Sequence, residues 1–293
     1  MLQTIDLTRR FGDLSAVDQV SLDVPGGLLT GFVGANGAGK TTTMRMITGV
    51  LAVHGGSVLW QGRPITAQDR RRFGYMPEER GLYPKQPVLD QLVYLGRLTG
   101  LSSADARRRA GVLLERFGLG ARARDRVEKL SLGNQQRVQI VAAVLASPVA
   151  LILDEPFSGL DPVAVEQMAG VVREHAASGL PVLFSSHQLD LVERLCDRVA
   201  IMSAGRLVTQ GRVDDLRRTP TARYRLVLTG DAGWVRGAAG VRALDVDGVS
   251  ALVEFEDAAA GRNLLSQALD RGDVREFSPV IPSLTELYKE VAA

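Results

Sequence analysis

The sequence predicts an α/β fold organised on a parallel sheet, with a small α+β domain after it. Three observations carry that expectation. The apolar stretch "LLTGFVG", 28 to 34, runs into a glycine-rich turn and then a helical pattern. "VALILDEP", 149 to 156, and "PVLFSSH", 181 to 187, read as buried strands around a helical "VAVEQMAGVVREHAASG", and strands so joined pair in parallel. Near 212 to 222 the pattern breaks at "DDLRRTPTA", which reads as a linker.

Along the chain, residues 1 to 30 alternate in short apolar pieces, "LQTIDL" and "VSLDV", between charged turns, and so read as strands. From 88 to 125 the periodicity turns helical, in "VLDQLVYLGRLTG" and in "SSADARRRAGVLLERFGL", which opens on serines able to cap it. This is a helical insertion, taken to extend over about 88 to 145. After the linker, "YRLVLTG", "VRALDVDG" and "VSALVEFED" read as strands. A helix at 258 to 269, a short strand near "VREF" and a last helix at 283 to 291 complete a small α+β domain.

The 293 residues are enough for one substantial domain and a small one. Cys196 is the only cysteine, which excludes an internal disulfide and a thiolate zinc cluster. Thirty-five basic and 33 acidic residues leave a formal charge of +2, too small to imply nucleic acid as a partner. The arginine clusters "DRRRF" and "ARRRA" read as solvated surface. The start "MLQTIDLTRRFGDL" lacks a signal-peptide core, and glycine, proline or charge breaks every later apolar run before it could span a bilayer. A chain soluble by itself is expected.

Chemistry concentrates in a few segments. "GANGAGKT", Gly34 to Thr41, follows a strand and opens a helix, the context in which glycines let backbone N–H groups wrap a phosphate. Asn36, Gly37, Gly39 and Thr42 belong to this cradle, Lys40 is suited to reach the β and γ phosphates, and Thr41 offers a hydroxyl to Mg2+. Asp154 and Glu155 end an apolar strand, so one carboxylate can hold metal-bound water while the next polarises an attacking water. The competing explanation is a pair of acids capping a turn. His187 closes the following strand, where it can contact the γ phosphate or hold Glu155 and the water in line. The cradle alone leaves a kinase, a GTPase and a motor open.

Taken together these segments resemble the ATP-binding subunit of an ABC transporter. "GANGAGKTT" stands as Walker A, "LSLGNQQR" as the signature, "LILDEP" as Walker B, "SGLD" at 158 to 161 as the D-loop and "SSH" at 185 to 187 as the switch segment. The five occur in family order over about residues 1 to 215. The resemblance implies a P-loop ATPase core of ABC type with an antiparallel β subdomain and a helical subdomain, followed by the small α+β domain at 216 to 293. It gives Phe11 the role of an aromatic platform under adenine. Two chains would sandwich two Mg-ATP, with Ser131, Gly133 and Asn134 of each binding the nucleotide held by the other and Asp161 coupling the two sites. The pair would be a homodimer or a heterodimer.

Two positions depart from the family pattern. Glu78 in "FGYMPEERGLYPK" replaces a glutamine that ligands Mg2+, and a carboxylate still accepts from metal-bound water although it cannot donate. Leu132 replaces the first signature glycine and Asn134 the signature glutamine. Leu132 can point away from phosphate if its backbone does not need positive φ, and the helix behind the signature is expected to begin near Asn134. "GYMPEERGLYPK" and the ending "SPVIPSLTELYKEV" resemble ATPases of ABC-2 type drug and antibiotic exporters. A separate integral membrane permease is thereby implied, with this chain peripheral on the cytoplasmic face of the cell membrane. The rival classes are a soluble ABC clamp acting in translation or DNA maintenance, and a nucleotide-binding scaffold with little turnover. Against the DNA class, the roughly ninety residues between cradle and signature carry no sustained heptad.

Overall fold

Short alternating segments at the start of the chain fold into β1 (Leu2–Phe11), β2 (Leu14–Val20) and β3 (Asp23–Val24), both of the latter antiparallel to β1. The structure is a computed structural model that describes residues 1–79, 81–217, 223–272 and 274–292. "VSLDV", expected as one strand, is divided between the end of β2 and β3. The cause is local. Gln19 takes a left-handed φ of 52°, and the buried Thr4 hydroxyl donates to Val20 O (2.8 Å) while accepting from Leu22 N–H (2.9 Å). The ladder is interrupted there, with the polar backbone groups still satisfied.

The apolar "LTGFV" forms β4 (Leu29–Val33), buried along its whole length, and leads through the glycine-rich turn into α1 (Lys40–Thr48). Next come β5 (Gly55–Trp60), β6 (Arg63–Pro64), α2 (Ala67–Arg70) and β7 (Phe73–Met76). The insertion supplies α3 (Val88–Leu98), α4 (Ser103–Arg116) and α5 (Leu132–Val144). Ser102 caps α4, its hydroxyl accepting from Asp105 N–H at 3.0 Å. The core then resumes as β8 (Ala150–Leu153), α6 (Pro162–Ala177), β9 (Val182–Ser186), α7 (Leu189–Leu195), β10 (Arg198–Ser203) and β11 (Arg206–Arg212).

The central sheet runs β11-β10-β4-β9-β8-β7, with every neighbouring pair from β10 to β7 parallel and only β11 antiparallel. A separate antiparallel sheet joins β2, β1, β5 and β6, with β3 also on β1. β4, β8 and β9 carry no exposed residue, as expected of strands covered on both faces. Phe32, Met44, Ile47, Ile152 and Leu183 share one buried cluster between sheet and helices.

The chain divides into two compact units, essentially Met1–Val213 and Asp214–Glu290. Four residues of the expected linker region form α8 (Val213–Leu216), while residues 218 to 222 lie outside the described residues. The second unit contains β12 (Arg223–Leu228), β13 (Val241–Asp247), β14 (Ser250–Phe255), α9 (Ala258–Arg271), β15 (Val274–Val280) and α10 (Leu284–Ala292). Its antiparallel sheet has the order β13-β14-β12-β15. Leu226, Val235, Val253 and Leu264 centre a core of its own, beside the aromatic trio Tyr224, Phe255 and Phe277. Among the described residues no helix is long and apolar enough to cross a membrane.

One close approach fixes the edge of the central sheet. A Cβ built on Gly74 of β7 would collide with the carbonyl oxygen of Ala143 in α5, a backbone atom that cannot rotate away, and with the Leu151 side chain. Gly74→Ala is expected to destabilise the chain by about 2 kcal/mol, read as a lower midpoint in urea unfolding.

Candidate active site

Parallel strands end on the same side, so the carboxyl ends of β4, β7, β8 and β9 bring four sequence-distant segments to one edge. The turn after β4 is the cradle. Gly37 and Gly39 adopt φ of 81° and 103°, and a Cβ on Gly39 would meet the carbonyl oxygen of Ala16 at 2.6 Å, so both conformation and space demand glycine there. Asn36, Gly37, Gly39, Lys40, Thr41, Thr42, Glu78 and Glu155 line one cleft of about 190 Å³, with Ala16 and Ala38.

Lys40 opens α1 and lies back over the loop, its Nζ donating to the carbonyls of Gly34 (2.7 Å) and Ala35 (3.2 Å). Burial pulls the ammonium below the ordinary lysine range, while the carboxylates of Glu155, Asp154 and Glu78 push it back up. Thr41 Oγ1 stands 3.4 Å from Glu78 Oε2, which places the two oxygens that the sequence suggests for Mg2+ beside one another.

Asp154 is fully buried just beyond β8. Its Oδ1 accepts from Ser185 Oγ at 2.5 Å, while Oδ2 is buried without a hydrogen-bond partner among the described residues. A buried carboxylate oxygen left in that state is costly unless something positive meets it. Together with the Thr41 hydroxyl and the Glu78 carboxylate it makes an all-oxygen donor set of the kind that suits Mg2+.

Glu155 is more unusual. Its φ of 49° is left-handed for a residue with a side chain, a conformation that costs about 1 kcal/mol or more. Its N–H donates to Ser185 Oγ at 2.8 Å, so a single buried serine serves both acids of the pair. The turn delivers the carboxylate to His187, whose Nδ1 lies 3.0 Å from both Oε1 and Oε2. An ionised carboxylate only accepts, which assigns the proton to Nδ1. The Glu155 side chain is 11 % exposed and that of His187 47 %. Burial raises the Glu155 carboxyl above its ordinary range, opposed by the His187 hydrogen bond and the nearby charges of His187 and Lys40. Sequence alone does not single out Ser185; its place in "SSH", two residues before the histidine, is the available signal.

The remaining candidates stand apart from this cleft. Phe11 ends β1, is 46 % exposed, and has the Arg9 guanidinium 4.8 Å from its ring centre, so it is surface and not core. Ser131, Gly133 and Asn134 are outside the cleft lining. The helix expected near Asn134 begins two residues earlier, at Leu132, because Ser131 Oγ accepts from Asn134 N–H (3.3 Å) and acts as the N-cap. Leu132 therefore has ordinary helical backbone in the first turn and is 57 % exposed. Gly133 packs close to Leu160, where an added Cβ would meet Cδ2 at 3.2 Å. Asp161 is exposed and caps α6, its Oδ1 accepting from Ala164 N–H at 2.9 Å.

The profile of the family described as "ABC transporter" matches residues 17–158, and that of "ATP-binding protein DrrA1-3-like, C-terminal domain" matches 211–292. The ABC transporter ATP-binding protein YhaQ of Bacillus subtilis is 42 % identical over 98 % of this chain and 97 % of its own length. The Nod factor export ATP-binding protein I of Cupriavidus pinatubonensis is 36 % identical over 74 % of this chain and 72 % of its own. A solved structure of an ATP-binding subunit of an ABC transporter superposes with a TM-score of 0.68 at 34 % identity, covering 74 % of this chain and 92 % of that one. Identity at the level of YhaQ, sustained along nearly the whole chain and underlain by the same fold, means that this chain belongs to the ATP-binding proteins of ABC transporters.

Proposed function

We propose that this chain hydrolyses ATP as one of two subunits closed around two nucleotides, and that the cycle drives export through a separate membrane permease. The observation that carries the reading is the division of the chemistry. The cradle, Glu78 and Glu155 line a cleft, whereas Ser131 and Leu132 sit exposed at the start of α5, outside it. A helix N-terminus that presents Ser131, Gly133 and Asn134 suits an anionic phosphate, and a second chain can supply that phosphate.

Residues 1 to 215 form the ATPase domain and 216 to 293 the accessory domain in this reading. Phe11 stacks on adenine with the ring face that Arg9 leaves free. Asn36, Gly37, Gly39, Lys40, Thr41 and Thr42 hold the phosphates. Thr41, Glu78 and Asp154 hold Mg2+, which supplies neutralisation of charge on the β and γ phosphates. Glu155 takes a proton from the attacking water, and His187, hydrogen-bonded to that carboxylate, fixes its direction. Asp161, whose carboxylate rigidifies the start of α6, stands at the contact with the other subunit. The exporter assignment draws support from the DrrA-like C-terminal unit and the export protein among the relatives. Peripheral association with the cytoplasmic face of the membrane follows from that partner.

Glu155→Gln should lower hydrolysis by about 10²-fold or more while retaining ATP-dependent dimers in size-exclusion chromatography; hydrolysis at the parent rate would remove Glu155 as base. Because Glu155 must be ionised and burial raises its pKa, activity of the parent chain should fall as pH drops through a value above the usual glutamate range. A pH–rate profile with its acid limb at the ordinary value contradicts that environment.

In the assembled transporter, Ser131→Ala should cost at least about tenfold in turnover, whereas Leu132→Gly should change it by less than threefold, since Leu132 points its bulk to solvent in the free subunit. The partner is tested by capturing the chain from its native cells in mild detergent. A stoichiometric polytopic membrane protein is expected; ribosomal or DNA-associated companions without one would make the transport reading wrong.

A further inference from the structure

The strained turn at Glu155 is held from two sides. On one side, Ser185 of β9 accepts the Glu155 N–H. On the other, the side-chain amide of Gln136 donates from Nε2 to the carbonyl of Glu155 at 3.0 Å and to that of Pro156 at 3.1 Å. Gln136 is 5 % exposed, so these carbonyls have little access to water as an alternative. Neither partner touches the Glu155 carboxylate. Both act on the backbone that aims it.

The two clamps differ in what carries them. Ser185 belongs to a central strand of the parallel sheet, flanked by β4 and β8. Gln136 belongs to α5, five residues beyond the Ser131 cap, or roughly 7.5 Å along a helix. One helical turn further, Gln139 is equally buried, and its Nε2 reaches the carbonyl of Glu79 at 3.4 Å, next to Glu78. The buried amide face of α5 therefore contacts both acidic segments of the cleft, while its N-terminus is the exposed signature.

We propose that Gln136 is a positioning residue for hydrolysis: it holds the left-handed turn in which Glu155 meets His187, and so links the signature end of α5 to the base of its own chain's cleft. This rests on the reading of Glu155 as the general base and of Ser131 as a contact to the other subunit's nucleotide. A shift of α5 on docking to that nucleotide moves the Gln136 amide with it, and the Glu155 turn is the first backbone it pulls on.

The test uses the full chain with Mg-ATP. Gln136→Met keeps the length of the side chain and removes the donor. It should lower kcat at least tenfold and leave the binding of a fluorescent ATP analogue within experimental spread of the parent, while the thermal midpoint falls because two buried carbonyls lose their donor. A kcat within twofold of the parent overturns the proposal, as does a loss of analogue binding in parallel with kcat. If the methionine variant does not fold, Gln136→Asn, which keeps the amide on a shorter arm, should reduce kcat at least threefold at unchanged analogue affinity; unchanged kcat again overturns it. Combining Gln136→Met with Ser131→Ala should lower kcat less than the product of the two single effects, and full multiplication of the effects refutes the link along α5. Glu155→Gln in the same assay separates the layers: its full activity would sink the parent reading, while its inactivity beside an active Gln136→Met sinks only this one.

Discussion

Parallel pairing of β4 with β9, β9 with β8 and β8 with β7 is the constraint on which the rest of the site depends. Parallel strands finish at a common edge, and the backbone there is released into turns whose polar groups must find partners. The turn after β4 becomes the phosphate cradle, that after β8 carries the two acids, and those after β7 and β9 carry Glu78 and His187. β4, β8 and β9 are buried along their length, covered by helices and by residues of the antiparallel sheet, which leaves their sequences apolar until the edge is reached, whereas β7 at the sheet edge is buried only at alternate residues.

Charge at that edge is balanced, not minimised. One buried ammonium, Lys40, shares its surroundings with the carboxylates of Glu78, Asp154 and Glu155. Each is held by hydrogen bonds of unequal completeness: Glu155 by His187, Asp154 by Ser185 on one oxygen only, Glu78 by Thr41 at the limit of bonding distance. The excess of acid over base is what makes the edge receptive to a cation, and the ammonium with the cradle's N–H groups makes it receptive to phosphate. Glutamate at position 78 adds one negative charge to this balance, and its contact with Thr41 keeps that charge beside the cradle.

The altered signature is explained by the start of α5. With Ser131 as N-cap, Leu132 occupies a first-turn position that any residue can adopt, and its side chain lies in solvent. The replacement of glycine at that point therefore carries no backbone cost in the single chain. Gly133 is different, since its hydrogen faces Leu160 with little room to spare. Leu132 and Gly133 are adjacent, and what distinguishes them is the packing of Gly133 against Leu160 in the turn before α6.

By itself, the sequence determined the segments whose information is local. The periodicity of "LLTGFVG", the glycines of "GANGAGKT", the serine cap of α4 and the apolar runs ending in Asp154 and His187 are all readable because neighbouring residues impose them. Those runs were enough for a nucleotide cradle, a parallel sheet and a second α+β unit. Only the tertiary structure decided what long-range contacts control. The division of "VSLDV" follows from Thr4, sixteen residues before Val20. Ser185 reaches the Asp154–Glu155 pair across thirty residues, and Gln136 reaches Glu155 from a different subdomain. A serine and a glutamine have no periodicity and no turn chemistry that marks them in advance. Their role arises when burial leaves backbone carbonyls, an N–H and a carboxylate oxygen with no water to turn to, and that condition exists only in the folded chain.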